Sequence, residues 1–366
     1  MSQMKAAVWH DVHDVRVEDF EIPPIVGSEV KIAVAWAGIC GSDLHAYHED
    51  LSKSPLGVSL EKHALSGRAA PLVLGHEFSG TVVETGPDVT HLAVGDRVAI
   101  EPVLKDFASP AVQRGQYNLG DFRAGEVGLY GFNADGGFAE YVVVEEYAAH
   151  KIPDSLGLDE AALAEPLAVV HRAVVASTFR VGQTAAVVGA GPIGLLTVLM
   201  LKAAGAREIY LIDIVPERLA LGDEIGALPI NSSAENAYEI IQAATNGRGV
   251  DVVFEAAGVQ PTLDLALTLS KKGGELVILS IFSTPPTVNT GLVMVHEIRI
   301  TSTIIYRDNF PEVLGLLASR AIDVRPLITS RIPLDDVVST GLEVLSNDRS
   351  QAKVLVFPPS AHGGKN

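Results

Sequence analysis

One segment narrows the choice of folds more than any other. Val187-Val188-Gly189-Ala190-Gly191-Pro192-Ile193-Gly194 carries Gly-x-Gly-x-x-Gly between an apolar run, Ala185–Val188, and a helical pattern, Ile193–Ala204. A second apolar run, Glu208–Ile212, then ends on Asp213. The glycine pattern alone says little; strand, turn, helix, strand and acid in sequence are the context it demands. Gly189 permits the tight turn, Gly191 lets the backbone approach a pyrophosphate, and Gly194 lets helix and strand pack closely. The helix start at Pro192 and Ile193 then faces the phosphates. Asp213 can accept from both adenosine ribose hydroxyls and would repel a 2′-phosphate. Residues 214–217 bring no positive charge and Arg218 is expected on the helix face, so the pattern favours NAD over NADP.

The surroundings extend the same architecture. Further strands are expected at Val250–Glu255 and Glu275–Ser280 and a helix at Pro216–Ile225. Such alternation implies an α/β, doubly wound parallel sheet covered by helices. The first 150 residues read differently: Val30–Trp36, Gly80–Glu84, Asp96–Ile100 and Tyr141–Val144 are short strand candidates set between glycines, as in a small β-barrel. The chain closes with a helix candidate at Phe310–Ala318 and a strand at Lys353–Phe357. With 366 residues, two domains are favoured over one. The expected division is a β-rich domain from residues 1–154 and 303–366 around a dinucleotide-binding domain at 155–302. Leu51–Ala70 is long, irregular and a candidate functional loop. The polar tail 358–366 is expected to fray.

Charge and cysteine usage exclude several functions. A formal net charge of −18 at pH 7 repels phosphate backbones, so nucleic acid is not an expected partner. The most apolar stretch, Ala185–Ala206, is broken by Gly189, Gly191, Pro192, Gly194 and Lys202, which argues against a membrane span. The N-terminus lacks the apolar core of a signal peptide. A single cysteine, Cys40, forbids an intrachain disulfide and a four-thiolate structural zinc, and fits a reducing, cytoplasmic setting.

Cys40, His76, Glu77 and Glu165 are metal-ligand candidates. A thiol, an imidazole and carboxylates suit zinc, and a catalytic zinc takes three protein ligands and keeps one open position. With one thiol, at least two ligands must come from His and Glu. Taken singly, each residue has an ordinary reading: Cys40 as a buried thiol, His76 as a core histidine, Glu165-Pro166 as a helix start.

The motifs together resemble the zinc-dependent medium-chain dehydrogenases/reductases, the alcohol and polyol dehydrogenase superfamily. They are Gly38-Ile39-Cys40-Gly41-Ser42-Asp43-Leu44-His45, Gly75-His76-Glu77-Phe78-Ser79-Gly80, Val94-Gly95-Asp96-Arg97-Val98, Gly136-Gly137-Phe138-Ala139-Glu140-Tyr141 and Glu165-Pro166-Leu167-Ala168-Val169, with the dinucleotide motif after them. Within that superfamily Leu65–Pro71, Ile304–Pro311 and Ser350–Val356 are most similar to the (R,R)-type 2,3-butanediol dehydrogenases, with sorbitol and xylitol dehydrogenases as competitors.

The resemblance implies a GroES-like catalytic domain plus a Rossmann NAD domain, with the site at the carboxyl ends of the parallel strands. It implies zinc on Cys40, His76 and a carboxylate, with Glu165 preferred over Glu77 and the other acid lying behind it. It further implies that Ser42 takes the substrate proton and passes it by way of the nicotinamide ribose to His45. The expected reaction is reversible oxidation of a secondary alcohol, a vicinal diol in the preferred reading, with a small-molecule substrate, in a homo-oligomer, dimer or tetramer. Alternatives are a polyol dehydrogenase, a specialised-metabolite alcohol dehydrogenase and a non-catalytic dinucleotide-binding protein. Many relatives hold a structural zinc with four cysteines in a lobe that here follows Glu101-Pro102. This chain keeps the lobe's Arg114-Gly115-Gln116-Tyr117-Asn118-Leu119 but has Gly120 where the last cysteine would stand. One zinc per chain is therefore expected, with Phe107, Val112 and Tyr117 holding the lobe by apolar contacts.

Overall fold

A computed structural model describes residues 3–49 and 57–359. Leu51–Leu56 of the candidate loop and nearly all of the expected frayed tail lie outside them. The chain forms two compact units, Met1–Glu165 with Phe310–Ala318 and Ile328–Asn366, and Pro166–Asn309 with Ser319–Leu327. Residues 155–165 belong with the first unit because they bond to it: Ser79 Oγ donates to the Leu158 carbonyl at 2.5 Å, and Arg331 pairs with Asp159 at 2.7 Å.

In chain order the first unit opens with strands β1 (Gln3–Asp11), β2 (Asp14–Glu21), β3 (Glu29–Gly38), β4 (Leu72–Val73), β5 (Glu77–Thr85) and β6 (Arg97–Ile100). They are followed by β7 (Val103–Lys105), β8 (Val127–Leu129), β9 (Tyr141–Glu145) and β10 (Ala149–Lys151). The second unit holds β11 (Thr184–Val188), β12 (Glu208–Asp213), β13 (Leu228–Asn231), β14 (Val250–Glu255), β15 (Ser270–Ile278) and β16 (Arg299–Ser302). The chain then returns to the first unit with β17 (Ile328–Pro333) and β18 (Lys353–Phe357).

In the first unit one sheet runs β10-β6-β5-β3-β18-β17, with β9 also paired to β3, and a smaller one runs β2-β1-β4. The alternation in Glu29–Gly38 buries Val30, Ile32 and Val34 on one face, as a half-buried strand should. β18 reaches β3 across most of the sequence, with Leu355 opposite Gly38. That pairing brings the C-terminal strand alongside the segment that leads into Cys40.

The lobe after Glu101 contains the separate two-stranded sheet β7-β8. The expected apolar anchoring does not hold for Phe107, which is 61% exposed and only rests edge-on against Tyr147. Tyr117 is buried as expected, but through its hydroxyl, which donates to Glu101 Oε1 at 2.6 Å.

The second unit is a parallel sheet in the order β13-β12-β11-β14-β15-β16. The order reverses between β11 and β14, which opens a crevice beyond the carboxyl end of β11. Ala186, Val188, Ile212, Val253 and Leu276 from the strands pack with Ile241, Leu263 and Leu267 from the helices. The continuous apolar runs are what a sheet covered on both faces requires.

Candidate metal centre and dinucleotide site

Cys40 follows β3 by two residues and caps the helix Gly41–His48. Asp43, one turn in, accepts from the Cys40 amide at 2.9 Å, which fixes the thiol at the helix start. Gly75, with φ +91°, makes the turn that delivers His76 and Glu77 at the head of β5. One donor atom from each of Cys40, His76 and Glu77 lies within 4.8 Å of the other two. Among the described residues this is the group of such donors that could hold an ion.

The environment of His76 suits a ligand. Its Nε2 lies 3.2 Å from Ser42 Oγ, and its Nδ1 faces Asp43 Oδ1 at 3.4 Å. That second separation is an ion-pair distance rather than a hydrogen bond, and both atoms are buried without a hydrogen-bond partner. Burial alone would push the imidazole towards neutrality, but Asp43 and Cys40 outweigh it and raise its pKa well above 6.5. The negative charges that favour a proton there are the ones a divalent cation would use. Thiol, imidazole and carboxylate, an imidazole with a carboxylate behind it, and these orphaned atoms fit a zinc ion.

Glu77 carries a partner that the sequence reading did not anticipate. Lys353 Nζ, on β18, donates to Glu77 Oε2 at 2.7 Å and Oε1 at 2.9 Å, and to the Ile39 carbonyl at 3.1 Å. Both residues are buried. Burial by itself would lower the lysine pKa, but the charges of Glu77, Cys40 and Glu165 raise it. Gly38 makes the room: a Cβ there would fall 2.1 Å from Glu77 Oε2. Glu165, buried at the first turn of the helix Ala164–Ala176, lies outside the three-donor group but within the electrostatic reach of Lys353. Ser42 and His45 share one face of the helix Gly41–His48, and His45 Nδ1 pairs with Glu49 Oε1 at 2.9 Å. Phe132, also missed, lays its ring 5.1 Å from that of His76.

The second unit has the expected loop. Gly189 has φ +108°, and a Cβ on Gly194 would fall 1.8 Å from the Gly189 carbonyl oxygen, so close packing demands both glycines. Gly191 caps the helix Pro192–Ala203 with no side-chain hydrogen bond, leaving the first-turn amides available to an anion. Asp213 does more than expected: its Oδ2 accepts from the Ala190 amide at 2.6 Å, and its Oδ1 accepts from the Ile214 and Val215 amides at 2.7 and 2.9 Å. It braces the glycine loop before any ribose arrives. Arg218 departs from expectation, since its guanidinium reaches to 4.0 Å from where a Gly191 Cβ would sit.

Comparison with known proteins agrees with both halves. The alcohol dehydrogenase GroES-like domain family matches residues 27–154, and the zinc-binding dehydrogenase family matches residues 192–319. The chain is 42% identical over 356 residues to the (R,R)-butanediol dehydrogenase of Bacillus subtilis (strain 168), covering 97% of this chain and 100% of that one. The crystal structure of 2R,3R-butanediol dehydrogenase from Bacillus subtilis matches with a TM-score of 0.90 at 40% identity, over 97% and 99% of the two chains. A structure described as a zinc-binding dehydrogenase from Sinorhizobium meliloti 1021, solved with NADP bound, matches with a TM-score of 0.87 at 32% identity, over 98% and 100%.

Proposed function

The chain belongs to the zinc-binding alcohol dehydrogenase family of oxidoreductases, and from that premise we propose that it reversibly oxidises one secondary hydroxyl of a vicinal diol to a ketone, with NAD as hydride acceptor and one zinc per chain. The observation that carries this reading is the meeting of Cys40 and His76, with the Lys353-paired Glu77 within 4.8 Å of both, in a chain so similar to a butanediol dehydrogenase.

Zinc held here would supply the Lewis acidity that lowers the pKa of a substrate hydroxyl, and the nicotinamide would take the hydride. The chain's own groups do the rest. Asp43 faces His76 Nδ1 and orients the imidazole. Ser42, beside His76 Nε2, takes up the hydroxyl proton as it gives up its own, and His45, on the same helix face, is the group that releases a proton to solvent. Glu49 holds His45 by Nδ1, which leaves Nε2 for that exchange.

Cys40, His76 and Glu165 are proposed as the ligands, with Glu77 held behind them. Both oxygens of Glu77 already accept from the buried Lys353 ammonium, and a shift that broke this pair would cost about 3–5 kcal/mol, which favours Glu165 over Glu77 as the ligand. Glu165, buried at the first turn of its helix, is the remaining carboxylate of the proposed set. NAD rather than NADP is supported by the carboxylate of Asp213 at the end of β12, although Arg218 lies nearer the loop than the sequence suggested. A lobe without thiols supports a single zinc. No helix among the described residues is long and apolar enough to cross a membrane, and the lone thiol supports a cytoplasmic setting. A homo-oligomer is supported by the open edge strand β16 beside Met294 and Val295, 74% and 66% exposed.

The test is NADH formation by the zinc-loaded protein with butanediol stereoisomers, sorbitol, xylitol and simple alcohols. A butanediol isomer should give the highest kcat/KM; preference for sorbitol or xylitol would reject the diol reading.

A further inference from the structure

The lobe between Glu101 and Asn133 poses a physical problem. Its only sheet, β7 with β8, is two short strands hydrogen-bonded to no other sheet, and an isolated hairpin is marginal in water. It has no thiol with which to bind an ion. Gly120, at the position where relatives place a cysteine, could take a side chain only if Val127 shifted, since a Cβ there would fall 2.9 Å from Val127 Cγ1.

What the lobe has instead is a buried carboxylate at its base. Glu101 is 3% exposed. Its Oε1 accepts from the Tyr117 hydroxyl at 2.6 Å and from Lys105 Nζ at 3.2 Å, and its Oε2 pairs with His150 Nε2 at 2.9 Å. Lys105 Nζ also lies 3.9 Å above the Tyr117 ring, and its amide donates to the Tyr147 hydroxyl at 3.1 Å. His150 stacks on Phe310 at 5.1 Å. One carboxylate thus ties β7, the turn Tyr117–Leu119 and β10 of the main sheet together from within. From β8 the chain runs to Tyr130, whose amide donates to the Pro102 carbonyl at 3.1 Å, and on to Phe132 against His76.

We propose that Glu101 is the lobe's non-metal anchor: its carboxylate gathers Tyr117, Lys105 and His150 as a structural ion gathers its ligands, and so positions Phe132 against His76. The anchor gives Glu101 a positioning role and no contact with reacting atoms. Its effect on turnover rests on the dehydrogenase reading above; its effect on the lobe does not.

Hydrogen exchange of the full chain, read by mass spectrometry in peptides from 102–133, separates the two. Glu101→Ala should cost that segment about 10- to 100-fold in protection, with β11–β16 unchanged. Glu101→Gln keeps an acceptor for Tyr117 and should lose less, and it serves if the alanine variant does not fold. With a diol substrate KM should rise more than kcat falls. In the parent, prolonged treatment with EDTA should abolish activity yet leave protection of 102–133 intact. Unchanged exchange in both variants, or a lobe that opens in EDTA, would overturn the anchor. An opened lobe with unaltered KM would overturn the positioning of Phe132. Full activity after proven zinc removal would sink the dehydrogenase mechanism while leaving the anchor standing.

Discussion

Lys353→Met tests whether the buried pair behind the metal donors governs the first unit. The lysine makes charge-assisted bonds to both oxygens of Glu77, at 2.7 and 2.9 Å, and one to the Ile39 carbonyl at 3.1 Å. Methionine keeps most of the apolar stem and removes all three, leaving an uncompensated carboxylate that is 0% exposed. Removing one member of such a pair costs about 3–5 kcal/mol, whereas replacing both by neutral groups is often close to neutral. Lys353→Met and Glu77→Gln should therefore each cost about 3–5 kcal/mol, and the double variant about 2 kcal/mol or less. The assay is denaturant unfolding of metal-free protein, so that lost zinc does not enter. Both tryptophans, Trp9 and Trp36, lie in the first unit, so their fluorescence reports that unit alone. Additive single-variant effects, or a Lys353→Met variant within about 1 kcal/mol of the parent, would refute the reasoning.

Cys40→Ala should lose zinc and nearly all turnover while NAD binding, measured by calorimetry, stays largely intact. Glu165→Ala should sharply lower zinc content by metal analysis, while Glu77→Ala should retain more zinc; the reverse order makes Glu77 the ligand. Zinc affinity, measured by competition with a chelator of known pH dependence, should rise with pH above 6.5 by up to about tenfold per unit, because His76 holds a proton that the ion must displace; a flat profile would exclude His76. Asp213→Ala should weaken NAD binding tenfold or more, since the ribose acceptor and the brace on the Ala190 amide are lost together, each about 1–3 kcal/mol. Glu101 is held below its usual value of 4.5: burial would raise it, but His150, Lys105 and Tyr117 prevail. Its stabilisation is therefore complete above that value and lost as pH falls through its folded pKa, and Glu101→Gln should flatten the acid limb of lobe protection.

The parts legible in the sequence are those whose physics is local. Gly189, Gly194 and Asp213 lie within one strand–turn–helix–strand unit, and their spacing announces the turn, the close packing and the acid at the strand end. Lys353 was not legible, because the partner that keeps it buried lies 276 residues away. At the head of an apolar run it reads as a flanking charge. Tyr117 and Phe107 show the same limit: both read as apolar anchors, yet only the one with a hydroxyl within reach of Glu101 is buried. Arg218 was assigned to the helix face by its register, while the length of its side chain carries the guanidinium back to the loop.

Charge balance connects these residues to the metal. Asp43, Glu77 and Glu165 are all buried, Asp43 and Glu77 beside His76 and the half-buried Cys40 and Glu165 within the electrostatic reach of Lys353, the one buried lysine or arginine among the described residues. A single ammonium pairs with a single carboxylate. Burial would lower the pKa of His76, yet the charges of Asp43 and Cys40 raise it well above 6.5 and so favour a proton there. A divalent cation at the same place would replace that proton and meet the acid charge left over after the Lys353–Glu77 pair. The acids are written in the sequence one by one; the deficit they create appears only when the fold puts them together, and it is that deficit which suits the site to zinc.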